Sequence, residues 1–531
     1  MRVAVVGSGP SGLSCCKALL SRGFHVTLLD VAERLEDSRQ RVVDDLRSTN
    51  PAQWPASSLA FIRENPSVTA GGIPTKLHFG SDFIYGKNRD FAPLDVADAS
   101  ASPTFAQGGY SNVWGATALP PDDCDLTGWP LTRGDLEPYF RQTLEDMPLC
   151  VGEDPLRKSF PVYKTDPGRL DPGIQGRGLL EDLRRAEQRL AQRHTLFGQS
   201  RLAIHAIDKG AEALGCVNCG LCLSGCPRGS IYSTVPELES LVKRGLIEYF
   251  PGAHVDEIHE HGDRAVVSFT NTVSGERAAQ AYDAVFIGAG PINTTRILLA
   301  SRQMFDRPVE MLESQKFLVP ILRLPDSPGA LDDKFATLAC AFLETKIPEL
   351  SDHWIHVQIS SVNDMMLSSL GIDPERPTVR RTLLAPVLRR MMVAWCGLHS
   401  DHSSRLALTL RFAQRNGRHE MSIRGELSEE ARRVSKRVAK VLFSLGLLFR
   451  SGFLFPFMRY SDPGTGNHFG GSFPMSRSPK RELDTDLFGR PFGWKRIFAI
   501  DSTVFPSIPA TTIALAVMAN ARRIGATAPV L

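Results

Sequence analysis

The 531-residue sequence has no long apolar run, no internal repeat and no low-complexity tract. No stretch reaches the ~18–20 apolar residues that a membrane-spanning helix needs. The nearest approach, Val441 to Met458, is interrupted by Arg450 and contains Gly446, Gly452 and Pro456. Charge of one sign is also lacking. A formal net charge of +3, with no arginine–aromatic stripe, gives no reason to expect nucleic acid. Cysteine is scarce: ten residues are too few for a disulfide scaffold. The opening Met1–Val6 runs straight into a glycine loop without a long apolar segment, so no secretory signal peptide is expected. The expected setting is therefore a reducing cytoplasm, in which clustered cysteines serve metal or redox chemistry.

The hydrophobic share of 42% and charged share of 22% fit an ordinary globular protein with at least one large core. Arg2–Val6 reads as a short buried strand, followed by Gly7-Ser8-Gly9-Pro10-Ser11-Gly12, a helix over Leu13–Arg22 and a second apolar run ending at Asp30. Strand, G-x-G-x-x-G, helix, strand and acidic residue form the context of a dinucleotide fingerprint. Gly7 permits the tight turn, Gly9 admits a pyrophosphate close to the backbone, and Gly12 lets helix pack on strand. Asp30 accepts hydrogen bonds from a ribose, and its charge disfavours NADP. The motif alone leaves FAD and NAD open.

Four of the ten cysteines fall within eleven residues, as Cys216, Cys219, Cys222 and Cys226-Pro227. The spacing C-x2-C-x2-C-x3-C-P is that of a bacterial ferredoxin run, whose fourth cysteine serves a second cluster. No second run is present, so the readings are 3Fe-4S on three cysteines or 4Fe-4S with Cys226 or a distant ligand. Zinc and metal-free thiols are the alternatives, although structural zinc favours two cysteine pairs separated by a longer loop.

Several later segments align with one known pattern. They are GGYSNVWGA (108–116), WPLTRGDLEPYF (129–140), VFIGAGPINTTRILLAS (285–301), GNHFGGSFPM (466–475) and IDSTVFPSIP with the small-residue helix Thr511–Ile524 behind it. With the N-terminal fingerprint, these segments resemble the glucose-methanol-choline (GMC) oxidoreductases in the family's order, residues 300–460 being the least recognisable. The cysteine run resembles that of members that pass electrons to a partner.

The resemblance implies an α/β fold: a Rossmann-like FAD-binding domain with an interleaved α+β substrate domain on an antiparallel sheet. The FAD domain would comprise residues 1–300, with a lid-like insertion at 31–105 and the cysteine segment at 214–234. Residues 301–463 would bind substrate, and 464–531 would return to the FAD domain with the catalytic histidine. Carried across by position, Gly7, Gly9, Gly12 and Asp30 hold the ADP part of FAD, and Val255 contacts adenine through its backbone. Gly109 and Asn112 lie near the flavin, Gly290 ends a strand at the cofactor, and Asp501 lies near the pyrophosphate. His468 fits the pattern H-x-x-G-T/S-x-x-M and would be the base for the hydroxyl proton. Its ordinary pKa near 6.5 suits that task.

The family's second histidine or asparagine has no counterpart in Phe505–Thr512; Thr511 or Thr512 could bond substrate or flavin there. The expected activity is FAD-dependent oxidation of a hydroxyl on a sugar, glycoside or related alcohol, with electrons relayed through the iron–sulfur cluster to a protein or quinone acceptor. Net non-oxidative chemistry, such as epimerisation through a transient ketone, is one alternative. Membership of a membrane electron-transfer complex is another. The basic, apolar stretches Arg380–Cys396 and Arg432–Phe457 fit either a helix covering a core or peripheral contact with an anionic membrane surface.

Overall fold

The computed structural model describes residues 1–63, 73–86, 89–206, 215–374, 378–412 and 418–530. Parts of the expected insertion (64–72 and 87–88), residue 214 of the cysteine segment, and 375–377 and 413–417 of the expected substrate segment lie outside the described residues.

Arg2–Val6 is a central strand because its valines are β-branched and buried on both faces. It pairs in parallel with His25–Asp30 on one side and Ala284–Ile287 on the other. Ile247–Pro251 and Ile497–Ala499 complete a five-stranded parallel sheet assembled from distant parts of the chain. Pro10 opens the first helix, Pro10–Ser21, three residues before the periodicity predicts. Proline lacks an N–H and is preset for this first position, so it begins a helix instead of excluding one. The same device starts Pro291–Ser301. The last helix runs Ala514–Thr527 instead of Thr511–Ile524. Thr511 and Thr512 stay in the turn before it, fully buried.

A second, seven-stranded antiparallel sheet has the order Ser451–Phe453, Lys316–Arg323, Met391–Gly397, Ser351–Ser361, Ala341–Ile347, Thr195–Gln199, with Arg459–Tyr460 also on Lys316–Arg323. Its edge strand Thr195–Gln199 comes from before the cysteine run, far from its neighbours in sequence. Glu429–Gly446 covers this sheet. Ser428 caps it by accepting from Ala431 N at 3.1 Å. Val434, Val438, Leu442 and Leu445 join the core formed with the sheet's Phe317, Val319 and Val357. The basic Arg432–Phe457 stretch thus includes a helix that covers a core. A third sheet, of five strands, has the order Phe469–Gly470, Val309–Glu313, Arg405–Arg411, Glu420–Glu426 and Leu94–Ala97, and its strand Val309–Glu313 runs directly into Lys316–Arg323 of the seven-stranded sheet. The architecture is a Rossmann-like α/β unit joined to an antiparallel-sheet unit. Among the described residues, no helix is long and apolar enough to cross a membrane.

Candidate active site and cysteine pocket

The glycine loop is shaped by close approach. Gly7 takes φ +95°, and a Cβ there would lie 2.6 Å from Gly288 O. A Cβ on Gly12 would lie 1.9 Å from Gly7 O, so only glycine lets the helix start this close to the strand. Gly9 instead has open space, its nearest neighbours being Gly108 and Gly109 at 4.0 Å. The loop is therefore pinned at both ends and clear in the middle, where phosphates would meet the helix N-terminus. Asp30 is buried at the strand end and accepts a short hydrogen bond from Ser8 Oγ. Burial pushes its carboxyl up to about 7. Asp30, Gly7 and Val255 line one cleft with Asn293 and Arg296, and Arg296 donates to Val255 O.

Gly12→Ala is expected to disrupt this cradle. With the overlap at 1.9 Å, overpacking should cost about 1–3 kcal/mol. Denaturant unfolding and the flavin content of the purified protein would read both effects.

The turn 108–115 lies against the loop. Gly108 N donates to Ser8 Oγ at 2.8 Å, and Gly109, at φ +55°, faces Gly9. Asn112 spends its amide on the turn itself, donating to Gly109 O at 2.7 Å and Gln107 O at 2.9 Å. On the opposite side, Asp501 accepts from Thr503 N at 2.9 Å and from Thr294 Oγ1. Asp501 is buried, and burial raises its pKa. Its backbone partner Gly290, at φ +85°, caps the helix Pro291–Ser301. Thr512 Oγ1 accepts from Leu119 N at 3.2 Å. The neighbouring Thr511 Oγ1 is enclosed without a partner among the described residues.

His468 immediately precedes the strand Phe469–Gly470 and lies against the short connection from Val309–Glu313 to Lys316–Arg323. Its carbonyl accepts from Ser314 N at 2.9 Å, and its Nδ1 is enclosed with no partner among the described residues. Burial, and then the charges of Lys316 and His356, hold its pKa well below the ordinary value.

Those neighbours form a row across the antiparallel sheet that the sequence did not reveal. Glu344 pairs with His356, His356 with Gly397, and Gly397 with Lys316, so all four share one face. Gly397 leaves the gap that the lysine fills: a Cβ there would be 2.6 Å from Lys316 Nζ. The ammonium donates to Ser314 Oγ at 3.0 Å and Ala510 O at 3.3 Å. Burial lowers its pKa to about 8. That is below the value in an unfolded chain, so the stability cost of the buried ammonium is relieved as pH rises through about 8. His356 Nδ1 and Glu344 Oε1 share a short hydrogen bond, leaving His356 Nε2 and Glu344 Oε2 enclosed and unpartnered. Buried polar atoms are ordinarily hydrogen-bonded, so these two are open to a partner that the described residues do not supply.

Cys216, Cys219, Cys222 and Cys226 converge on one cavity, backed by Ile204 and Ile231. Asn218, Gly220 and Gly225 adopt positive φ of 52°, 78° and 124°, curling the run so that its sulfurs face inward. A Cβ on Gly225 would also strike the Phe79 ring at 2.5 Å. Ser230 N donates to Cys226 Sγ at 3.2 Å, a bond of the kind that tunes iron–sulfur centres. Burial pushes the Cys216 and Cys222 thiols up to about 12 and Cys219 to about 11. The half-buried Lys76, held by Trp114 O at 3.0 Å, supplies positive charge to Cys222 and Cys226.

The spacing of the sulfurs bears on the choice of metal. Tetrahedral zinc with 2.3 Å bonds needs ligand sulfurs about 3.8 Å apart. Among the described residues, the one trio of His, Cys, Asp or Glu ligand atoms within 4.8 Å of one another contains no cysteine.

Comparisons with known proteins bear on the fold. A family model described as an NAD(P)-binding Rossmann-like domain matches residues 5–64. No curated protein sequence matches the chain. Among solved structures, pyridoxine 4-oxidase from Mesorbium loti is 14% identical, with 99% of this chain and 98% of that chain covered at a TM-score of 0.58. The two share a fold. It is the two-unit architecture that the resemblance to the GMC oxidoreductases predicts.

One connection is visible only in three dimensions. The residues just after the cysteine run return to the glycine loop: Thr234 Oγ1 donates to Ser8 O at 2.9 Å, and Thr234 N to Ser111 Oγ at 3.2 Å. From the other side, Trp114 ties the 108–115 turn to Lys76 at the cysteine cavity. The cradle and the cavity are thus neighbours through two short stretches of chain.

Proposed function

We propose that this chain is an FAD-dependent oxidoreductase that converts a hydroxyl on a sugar, glycoside or related alcohol to a carbonyl. We further propose an iron–sulfur cluster on Cys216, Cys219, Cys222 and Cys226 that relays electrons to a protein or quinone acceptor. The observation that carries the reading is His468, whose enclosed Nδ1 has no partner among the described residues and which lies close enough to Lys316 and His356, on a sheet face with unpartnered polar atoms, to feel their charges. The shared fold of a protein named pyridoxine 4-oxidase supports oxidation chemistry on this scaffold.

Gly7, Gly9, Gly12, Asp30 and Val255 would hold the ADP part of FAD, with Asp501 and Gly290 closing the far side. Bound FAD supplies the acceptor for the hydride leaving the substrate C–H bond. The protein's own groups manage the proton. His468, kept neutral by burial and by the Lys316 charge, accepts it from the hydroxyl. The Lys316 ammonium favours negative charge developing on that oxygen. His356 Nε2, Glu344 Oε2 and Thr511 Oγ1 offer hydrogen bonds to further hydroxyls, which suits a polyhydroxylated substrate. The lysine and the Glu344–His356 pair bring polar groups to a site where Phe505–Thr512 offers no second histidine or asparagine.

A cluster takes electrons one at a time, and the contacts from Cys226 through Ser230 and Thr234 to Ser8 keep the path to the cradle short. Mixing the anaerobic protein with a panel of sugars and glycosides tests the reading. Bleaching of the flavin absorbance by a panel member is the expected result, with turnover requiring an added acceptor. Turnover without any acceptor would instead point to epimerisation.

Lys316→Met gives a separate check. Removing the positive charge raises the His468 pKa, so more histidine is protonated at a given pH. The acid limb of the kcat/KM profile is expected to move to higher pH. An unmoved limb would show that Lys316 does not act on the base.

A further inference from the structure

Large apolar side chains lie exposed on the antiparallel-sheet unit, around the helix Glu429–Gly446 and the turn that follows it. We propose that this face docks on an anionic lipid bilayer.

The helix has two opposed sides. Val434, Val438, Leu442 and Leu445 face the sheet core. At about 3.6 residues per turn, Arg432, Lys436, Lys440, Phe443 and Leu447 fall on the opposite side. All five are exposed. This stripe is basic over its first part and apolar at its end. The following turn enlarges the apolar end: the Phe455 ring meets that of Phe443 at 5.9 Å. Phe457, two residues on, is 68% exposed, and Leu447 is 59% exposed. Soluble proteins rarely leave such apolar groups together in water unless they bind something.

The second basic, apolar stretch adjoins the first. Leu324, 71% exposed, donates its N–H to Arg450 O at 2.9 Å, and its carbonyl accepts from Arg390 Nε at 3.4 Å. Arg390 follows the helix Val379–Leu388, on which Val379, Leu383 and Val387 recur every fourth residue and are exposed.

Charge identifies the occupant. Residues 431–460 carry seven lysines and arginines and no aspartate or glutamate, and 379–390 carry four arginines and no acid. Arg433, Lys436, Arg437 and Lys440 make no salt bridge among the described residues, so their charge is available to a partner. Interfaces between proteins are depleted in lysine. Lysine and arginine beside exposed Phe and Leu is instead the pattern of a helix resting in the headgroup region of an anionic membrane. Their long stems let the charges reach headgroups while the rings enter the acyl boundary.

Side chains alternate across a strand, so the helix packs on the sheet face of Phe317 and Val357, opposite that of Lys316 and His356. Docking through the helix therefore leaves the face of the polar row uncovered. It does not depend on the hydroxyl-oxidation reading, and the two can fail separately.

The test uses the purified full-length protein and vesicles of phosphatidylcholine with or without phosphatidylserine, read by co-sedimentation. At ~0.15 M salt, binding to the phosphatidylserine vesicles should exceed binding to the neutral ones roughly tenfold or more, and ~1 M salt should release it, because the Debye length falls to about 3 Å. Each basic residue at such a surface strengthens binding roughly fivefold, so Lys436→Gln combined with Lys440→Gln should weaken it about 25-fold. Leu447→Ser combined with Phe457→Ser should weaken it roughly tenfold or more. Both variants should keep the wild-type Tm and flavin content, since the four side chains lie outside the core. Equal binding to the two vesicle types, binding to neither, or affinity unchanged in both variants would each overturn the proposal. Self-association lost in the Leu447→Ser, Phe457→Ser variant, without vesicle binding, would overturn it too and assign the face to a second copy of this chain.

Discussion

Replacing His468 with alanine is expected to lower kcat/KM for hydroxyl oxidation by about 10²–10⁴-fold, the usual contribution of a positioned general base. Flavin content should stay unchanged, because the cradle contacts run through Gly7, Gly9, Gly12 and Asp30. The loss should be greatest at neutral pH and shrink at alkaline pH, where a larger fraction of substrate hydroxyl ionises unaided. The physical basis is that His468 Nδ1 is enclosed without a partner and the ring is held neutral by burial. It is therefore ready to accept a proton without first losing one. Anaerobic flavin reduction, followed after rapid mixing, isolates this step from later electron transfer. Normal-rate reduction in the alanine variant would remove the assignment.

The second large effect is expected at the cysteine cavity. Cys222 is fully enclosed, and its neighbour Lys76 supplies positive charge. Cys222→Ser exchanges a soft thiolate for a hydroxyl that binds iron poorly. The variant should lose iron and acid-labile sulfide, and turnover with a one-electron acceptor should fall by at least tenfold. Flavin reduction by substrate should remain close to the wild-type rate, because His468 and the polar row lie on other elements. A variant that turned over normally with the acceptor would show that electrons leave directly from the flavin.

These two predictions rest on features of different visibility in the sequence. The parallel sheet was legible because a valine-rich strand, a glycine loop and a helix follow one another within thirty residues. The cysteine run was legible because its spacing is local. His468 emerged from a local motif as well. The row Glu344–His356–Gly397–Lys316 was not legible, since each member lies on a different strand and only strand register aligns them. Lys316 opens the strand Lys316–Arg323, and in one dimension it reads as a charged strand end.

Helix starts were misplaced where proline was involved, as at Pro10 and Pro291, because proline ends one kind of helix position and begins another. The expected division of the chain at residue 300 also could not anticipate that Thr195–Gln199 adds an edge to the antiparallel sheet.

Quantifying flavin, iron and acid-labile sulfide in one purified sample tests the central claim most directly. The account predicts one FAD per chain, with three or four irons and about four sulfides, as a 3Fe-4S or 4Fe-4S cluster requires. A chain that holds no FAD, or holds FAD with no iron and sulfide, would contradict it.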